Sequence, residues 1–145
     1  MRFLFFCLPL LAQIEHLEMT FEGVNCVPCV ESMPGRAMRI RGVTSARVDA
    51  AKGLLVLELA EGNRVRVEQI RDLIQQDGTK AVRVPRIVVG GVVEKGSDSE
   101  WMLRLPQQAL PLELKTSKAL TAGATIKVEG AIEDLKKSPL VLVEG

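Results

Sequence analysis

The chain has 145 residues, of which 47% are hydrophobic and 26% are charged, and its formal net charge is +1. This composition is typical of a globular protein with one ordinary domain or two small ones. Acidic and basic side chains balance in both halves, only 3% of residues are aromatic, and tyrosine is absent. The sequence therefore lacks the basic excess and the stacking side chains of a nucleic-acid-binding protein.

The first residues, MRFLFFCLPLLA, form an apolar run after a single arginine. The run is too short to span a bilayer and fits the hydrophobic region of a signal peptide. We therefore expect a leader over residues 1–12 and export, for example to the periplasm, with at most peripheral membrane association. Cys26 and Cys29 are then the only cysteines of the mature chain. If the leader is not a signal, we expect a cytoplasmic protein.

Residues 13–85 predict the element order βαββαβ. HLEMTFEG alternates apolar and polar residues, which predicts a strand. Apolar residues at helical spacing over 30–40 predict a helix that stops at Gly42. SARVDA and LLVLEL predict a hairpin, VEQIRDLIQQ a second helix, and KAVRV a last strand with Val82 and Val84 facing inward. This order predicts an α+β fold of the ferredoxin-like type.

Beyond Pro85 the pattern changes to short strands separated by turns. Residues 86–145 contain five strand-like segments, RIVVGGVV, EWMLRL, PLEL, TIKVEGAI and PLVLVEG. The segment KTSKAL between the third and the fourth favours a short helix. This order fits a small five-stranded Greek-key β-barrel of the oligonucleotide/oligosaccharide-binding (OB) type. We therefore predict a second, OB-like domain after residue 85.

Cys26 and Cys29 form a CxxC motif between the first strand and the first helix. A helix start favours thiolates, which select soft ions such as Cu(I), Ag(I), Hg(II), Zn(II) and Cd(II). Two sulfurs complete a linear site for Cu(I) or Hg(II), whereas structural zinc takes four ligands. The one histidine, His16, lies about 20 Å from the loop along the predicted strand, and we expect it to be a surface residue. The sequence allows a monomer or a dimer that shares one ion through four thiolates.

The segment GVNCVPC, followed by a helix and RGV, resembles the heavy-metal-associated domain of copper chaperones, copper-transporting P-type ATPases and the periplasmic mercury-binding protein. The family signature is Gly-Met-x-Cys-x-x-Cys in a βαββαβ fold, and the resemblance covers about residues 16–84. Gly42 and Val43 stand where the family has its Gly-Val. The resemblance implies that Cys26 and Cys29 are the metal ligands and that Cu(I) is the favoured ion. It also implies a metal donor or acceptor partner, such as a copper-transporting ATPase, and no enzymatic activity.

The resemblance also implies that Val24, Asn25 and Thr79 support the metal loop. Val24 replaces the family's methionine, which packs under the loop. Thr79 replaces the aromatic or lysine side chain that often follows the closing glycine. Pro34 falls inside the first helix, where a proline removes a hydrogen bond and costs about 3 kcal/mol. We therefore expect a kink near Pro34.

Three arginines, Arg36, Arg39 and Arg41, follow the cysteine loop. Metal chaperones of this family dock onto acidic partners through basic residues near the same helix, so these arginines are candidates for partner docking. The alternative is a solvated helix face whose charges are balanced by acidic neighbours, and the scattered acids nearby favour it.

A thioredoxin-like function competes with metal carriage. Thioredoxin-like enzymes have Cys-x-Pro-Cys at a helix start and a proline five residues after the second cysteine, which is the spacing of Pro34 from Cys29. Against this, no tryptophan precedes Cys26, the strand LLVLEL intrudes, and no closing helix follows. We therefore predict carriage of a soft ion by ligand exchange. The alternatives are a thiol–disulfide redox protein and an interaction module with a vestigial metal site.

Overall fold

The computed structural model describes residues 12–24 and 26–145. The leader predicted over residues 1–12 lies outside these ranges, apart from Ala12. Within the described ranges no helix is both long and apolar enough to cross a membrane.

The elements follow the predicted order in the first half of the chain. In chain order they are β1 (Ile14–Glu22), α1 (Val27–Glu31), α2 (Met33–Met38), β2 (Val43–Asp49), β3 (Leu54–Leu59), α3 (Val67–Gln75), β4 (Lys80–Ala81), β5 (Val84–Lys95), β6 (Trp101–Arg104), β7 (Leu112–Lys115), β8 (Thr125–Ile132) and β9 (Val141–Glu144). The ferredoxin-like order βαββαβ is confirmed, with the first helix divided into α1 and α2.

Strand β1 lies at the centre of the ferredoxin-like sheet. It pairs antiparallel with β3 on one edge and with β4 and β5 on the other, while β2 pairs with the outer edge of β3. The apolar face of this sheet and the buried faces of α2 and α3 form one core. Its fully buried side chains include Leu17, Met19, Met33, Ala37, Leu55, Leu57, Ile70 and Ile74. Burial of a large aliphatic side chain stabilises a fold by about 1.5–3 kcal/mol.

The kink expected near Pro34 is a break at Ser32. Helix α1 ends at Glu31, and Pro34 occupies the first turn of α2. A proline is tolerated there because the first turn of a helix does not use its backbone N–H groups within the helix. The cysteine loop is therefore followed by a helix of only five residues.

Strand β5 joins the two halves of the molecule. Its first half pairs with β1, its second half pairs with β6, and its other edge pairs with β8. Pro85 lies inside this strand, and the core runs continuously from the ferredoxin-like sheet into the residues beyond it. The division into two domains at residue 85 stays a prediction.

The second half closes into a five-stranded barrel in the order β5-β6-β7-β9-β8-β5. All of these pairs are antiparallel except β7 and β9, which are parallel. Gly91 on β5 allows a close approach of β6. A Cβ atom at this position would lie 2.8 Å from both the Arg104 carbonyl oxygen and Leu103 Cγ. A closed barrel is thus present, as the strand pattern predicted, but the segment KTSKAL forms no helix between β7 and β8.

The final strand predicted from KAVRV is shorter than expected. Strand β4 has two residues, and Val84 is buried but belongs to β5. Val82 is only partly buried, although it was predicted to face inward. Its N–H donates to the Thr20 carbonyl at 2.9 Å, so the backbone here stays bound to β1 outside a regular ladder.

The barrel half caps the N-terminus of α3. The Gln108 side chain is 6% exposed; its Oε1 accepts the Val67 N–H at 3.1 Å, and its Nε2 donates to Glu68 at 3.1 Å. Arg66 occupies the N-cap position of α3, and arginine is not among the residues that cap helices well. The buried glutamine therefore supplies a bond that the helix sequence does not.

We predict that Gln108→Ala lowers the free energy of unfolding by about 1–3 kcal/mol, because it leaves the buried Val67 N–H without its acceptor. Urea unfolding of the full chain measures this loss. Gln107→Ala is the matched control, since Gln107 is partly buried and makes a single 3.4 Å bond to the Val65 carbonyl. Equal losses in the two variants would contradict the capping role.

Candidate metal centre

The two cysteines lie at the start of α1. Cys26 is the N-cap residue with an extended backbone, and its Sγ accepts the Cys29 N–H at 3.0 Å. Pro28 occupies the first turn between them. The Cα atoms of Cys26 and Cys29 are 5.3 Å apart, and the two sulfurs are joined in a disulfide. The structure thus brings the two predicted ligands together, in the oxidised state.

The cysteines open onto a pocket of about 340 Å³ between α1 and the end of α3. Its lining residues are Cys26, Pro28, Cys29, Ser32, Arg36, Gln76 and Asp77. When the disulfide is reduced, this pocket presents two sulfurs one helical turn apart. Two thiolates suit a soft ion that accepts two-coordinate binding. Within residues 12–24 and 26–145, no group of three or more His, Cys, Asp or Glu side chains is placed to hold a metal ion.

The predicted loop-support residues are not all near the sulfurs. Val24 is 42% exposed, so it does not fill a buried position beneath the loop. Asn25 lies outside the described residues. Thr79 is 1% exposed and does not line the cysteine pocket; its N–H donates to Asp77 Oδ1 at 3.0 Å. Thr79 therefore supports the turn after α3 and not the cysteines themselves.

Arg36 differs from the other two arginines predicted to dock a partner. Its guanidinium points into the cysteine pocket and binds groups on both α1 and α3. Arg39 and Arg41 are exposed. Arg36 is thus engaged within the chain, and the docking prediction is reduced to Arg39 and Arg41. The surface pattern of the helix could not distinguish them, because all three arginines follow the same loop.

Three residues of the pocket were not identified from the sequence: Ser32, Gln76 and Asp77. Ser32 stands four residues before Arg36, which is the spacing of neighbours on one helix face. Gln76 and Asp77 precede the glycine that closes α3. The spacing of Ser32 from Arg36 could have predicted that Ser32 lies beside it in the pocket. Gln76 and Asp77 could not be predicted in this way, because they come close only when α3 packs near α1.

Asp77 has a pKa below its ordinary value of 3.8. Thr79 is the main cause of the lowered pKa, and its backbone N–H donates to Asp77 Oδ1 at 3.0 Å. The positive charge of Arg36 lowers the pKa further, and burial opposes both effects. The carboxylate is therefore held in its charged form beside Arg36.

His16 is not the surface residue that was expected. It is 9% exposed, with Nδ1 2.9 Å from Glu58 Oε2 and Nε2 2.7 Å from Glu18 Oε2. It lines a separate polar pocket of about 910 Å³ with residues of the ferredoxin-like sheet and β8. His16 is not among the residues that line the cysteine pocket, as its distance along the strand predicts.

No family model matches this chain, but part of the chain is similar to a known copper chaperone. The copper chaperone CopZ of Staphylococcus haemolyticus (strain JCSC1435) is 37% identical over 57 residues, which are 39% of this chain and 82% of that protein. The chain belongs to the heavy-metal-associated domain family, which includes copper chaperones.

Solved structures similar to this chain also cover about half of it. A CopZ metallochaperone is 28% identical with a TM-score of 0.41, and the match covers 46% of this chain and 98% of that one. The N-terminal domain of a potential copper-translocating P-type ATPase from Bacillus subtilis, in its Cu(I)-loaded state, is 25% identical with a TM-score of 0.41. That match covers 47% of this chain and 84% of the domain.

We predict that Asp77→Asn makes the protein less stable at neutral pH, with a difference that shrinks in acid. The folded-state pKa of Asp77 lies below 3.8, so the carboxylate stabilises the fold above that pH and loses this contribution as pH falls through the folded pKa. Urea unfolding from neutral to strongly acidic pH measures the difference. Asp72→Asn, at an exposed carboxylate on α3, is the control, and an equal pH-dependent gap there would contradict the prediction.

Proposed function

We propose that the protein binds one Cu(I) ion through the thiolates of Cys26 and Cys29 and delivers it to an acceptor protein. The observation that carries this proposal is the placement of the two cysteines, with Cα atoms 5.3 Å apart, at the rim of an open pocket. The similarity to a copper chaperone supports copper over the other soft ions. Ag(I), Hg(II), Zn(II) and Cd(II) are competitors that share the preference for thiolate.

Binding and release follow from thiolate chemistry. The disulfide must first be reduced, and each thiol then loses its proton as the metal binds. A two-coordinate ion leaves room for a third sulfur, so an acceptor thiolate adds before a donor thiolate leaves. Val27, between the two cysteines, is 69% exposed, so an acceptor can approach the loop from solvent. The ion passes by ligand exchange without an enzymatic step.

The proposed partner is a metal donor or acceptor such as a copper-transporting ATPase. The exposed side chains of Arg39 and Arg41 come just after the end of α2, and they would steer an acidic partner toward this part of the chain. We propose a monomer that is exported or periplasmic, with a metal-bridged dimer or a cytoplasmic location as the alternatives. Size-exclusion chromatography with and without metal separates the monomer from the dimer.

We propose that the closed barrel of the second half is of the OB type. The order β5-β6-β7-β9-β8, with parallel pairing of β7 and β9, supports this assignment. Its role here is structural or partner-binding. The cap that Gln108 gives to α3 favours the structural role.

The disulfide between Cys26 and Cys29 favours one second candidate, a thiol–disulfide redox function. Such a protein would turn over repeatedly in an insulin reduction assay with a thiol reductant. A metal carrier would not accelerate insulin reduction beyond the reductant alone. An interaction module with a vestigial site would neither reduce insulin nor bind copper tightly.

We predict that the reduced chain binds one Cu(I) per molecule in competition with a chelator under anaerobic conditions. Cys26→Ser and Cys29→Ser should each lose this binding, because one sulfur cannot complete a two-coordinate site. Titration of Cu(I) against a coloured chelator measures all three proteins.

Val27→Ser is the matched control, since it introduces a serine between the cysteines and keeps both sulfurs. It should bind Cu(I) as the unchanged chain does. The proposed function would be contradicted if either cysteine variant still bound Cu(I). It would also be contradicted if the chelator kept the copper against all of these proteins, the unchanged chain included.

A further inference from the structure

The Arg36 side chain is bound to the end of α3 by three groups. Its Nη1 donates to the Leu73 carbonyl at 2.8 Å and to Gln76 Oε1 at 3.0 Å, and its Nη2 donates to Asp77 Oδ2 at 3.1 Å. The Arg36 and Asp77 side chains are 21% and 19% exposed. Charge-assisted bonds that are this shielded from water hold their partners more firmly than surface ion pairs do.

The same side chain also binds the segment that carries the second cysteine. Arg36 Nη2 donates to the Cys29 carbonyl at 3.3 Å, and Arg36 Nε donates to Ser32 Oγ at 3.3 Å. Ser32 Oγ in turn donates to the Cys29 carbonyl at 3.0 Å. The backbone of Cys29 is thus held from outside α1, through Arg36, by the end of α3.

This support matters because α1 has only five residues and is separated from α2 at Ser32. A helix of one or two turns is not stable by itself, since its nucleation costs more than its few hydrogen bonds return. Val30 is the residue of α1 whose side chain is buried. The position of Cys29 therefore depends on bonds from neighbouring elements.

We propose that Arg36 is the positioning residue of the metal site, which fixes Cys29 relative to Cys26 by binding the Cys29 carbonyl to the end of α3. For the metal this inference rests on the proposed function. The effect is geometric, because the positive charge of Arg36 is balanced by Asp77 at 3.1 Å. The planar guanidinium uses all three of its nitrogens in this arrangement, which a lysine cannot reproduce.

Fixing the position of Cys29 stabilises every state of the protein in which the two sulfurs must be close together. A two-coordinate Cu(I) site needs both, and so does the Cys26–Cys29 disulfide. Loss of the Arg36 bonds lowers the effective concentration of the Cys29 sulfur near the Cys26 sulfur. Copper release then becomes faster, and the equilibrium with glutathione shifts toward the reduced protein.

The test compares Arg36→Gln and Arg36→Lys with Arg64→Gln in the full chain. Arg64→Gln is the matched control, because it removes an exposed arginine that does not line the cysteine pocket. We expect Arg36→Gln to weaken Cu(I) binding about tenfold and to shift the glutathione equilibrium toward the thiols by a similar factor. Arg36→Lys should behave like Arg36→Gln, since it keeps the charge and loses the planar guanidinium, whereas Arg64→Gln should match the unchanged protein.

The glutathione equilibrium keeps the inference testable apart from copper. If the unchanged protein binds no Cu(I), the proposed function fails, while the redox comparison still decides the role of Arg36. Gln76→Ala removes one anchor of the arginine and serves if the Arg36 variants do not fold; it should shift the same equilibrium in the same direction, by a smaller factor. An unchanged equilibrium in folded Arg36→Gln, full rescue by Arg36→Lys, or an equal shift in Arg64→Gln would overturn the positioning role.

Discussion

The geometry of the cysteine pair depends on how the end of α3 holds a helix that is too short to stand alone. Helix α1 carries Cys29, has five residues, and is followed by a break that Pro34 helps to impose. Its neighbour α3 has nine residues and buries four apolar side chains in the core. The core therefore holds the longer helix in place, and the bonds of Arg36 attach the cysteine loop to that helix.

Helix α3 is itself held at its other end by the second half of the chain. Gln108 caps it, Arg71 reaches the Leu135 carbonyl, and β5 belongs to both the ferredoxin-like sheet and the barrel. These contacts form a continuous path from the barrel through α3 to the cysteine pocket. The second half can thus contribute to the site without any metal-binding residue of its own, because a helix that is held at both ends changes its orientation less readily.

Periodicity and turn residues were sufficient to predict the elements of residues 13–85, the cysteine pair and the number of strands after residue 85. The helix break was also predictable, because Pro34 has a local physical effect. The inward direction of Arg36 was not, since its partners Leu73 and Gln76 are far away in sequence and become neighbours only through packing. The burial of His16 was missed for the same reason, because Glu58 is far away in sequence and lies opposite His16 only when β1 and β3 pair.

We propose that Cys26 and Cys29 together are the ligands of a single Cu(I) ion. X-ray absorption at the copper edge, recorded on the reduced chain loaded with one equivalent of Cu(I), tests it most directly. If both sulfurs bind the ion, the spectrum shows two-coordinate Cu(I) with sulfur as its only neighbour, and it changes when either cysteine is replaced by serine. A spectrum dominated by nitrogen or oxygen ligands, or one that either serine variant reproduces, would contradict it.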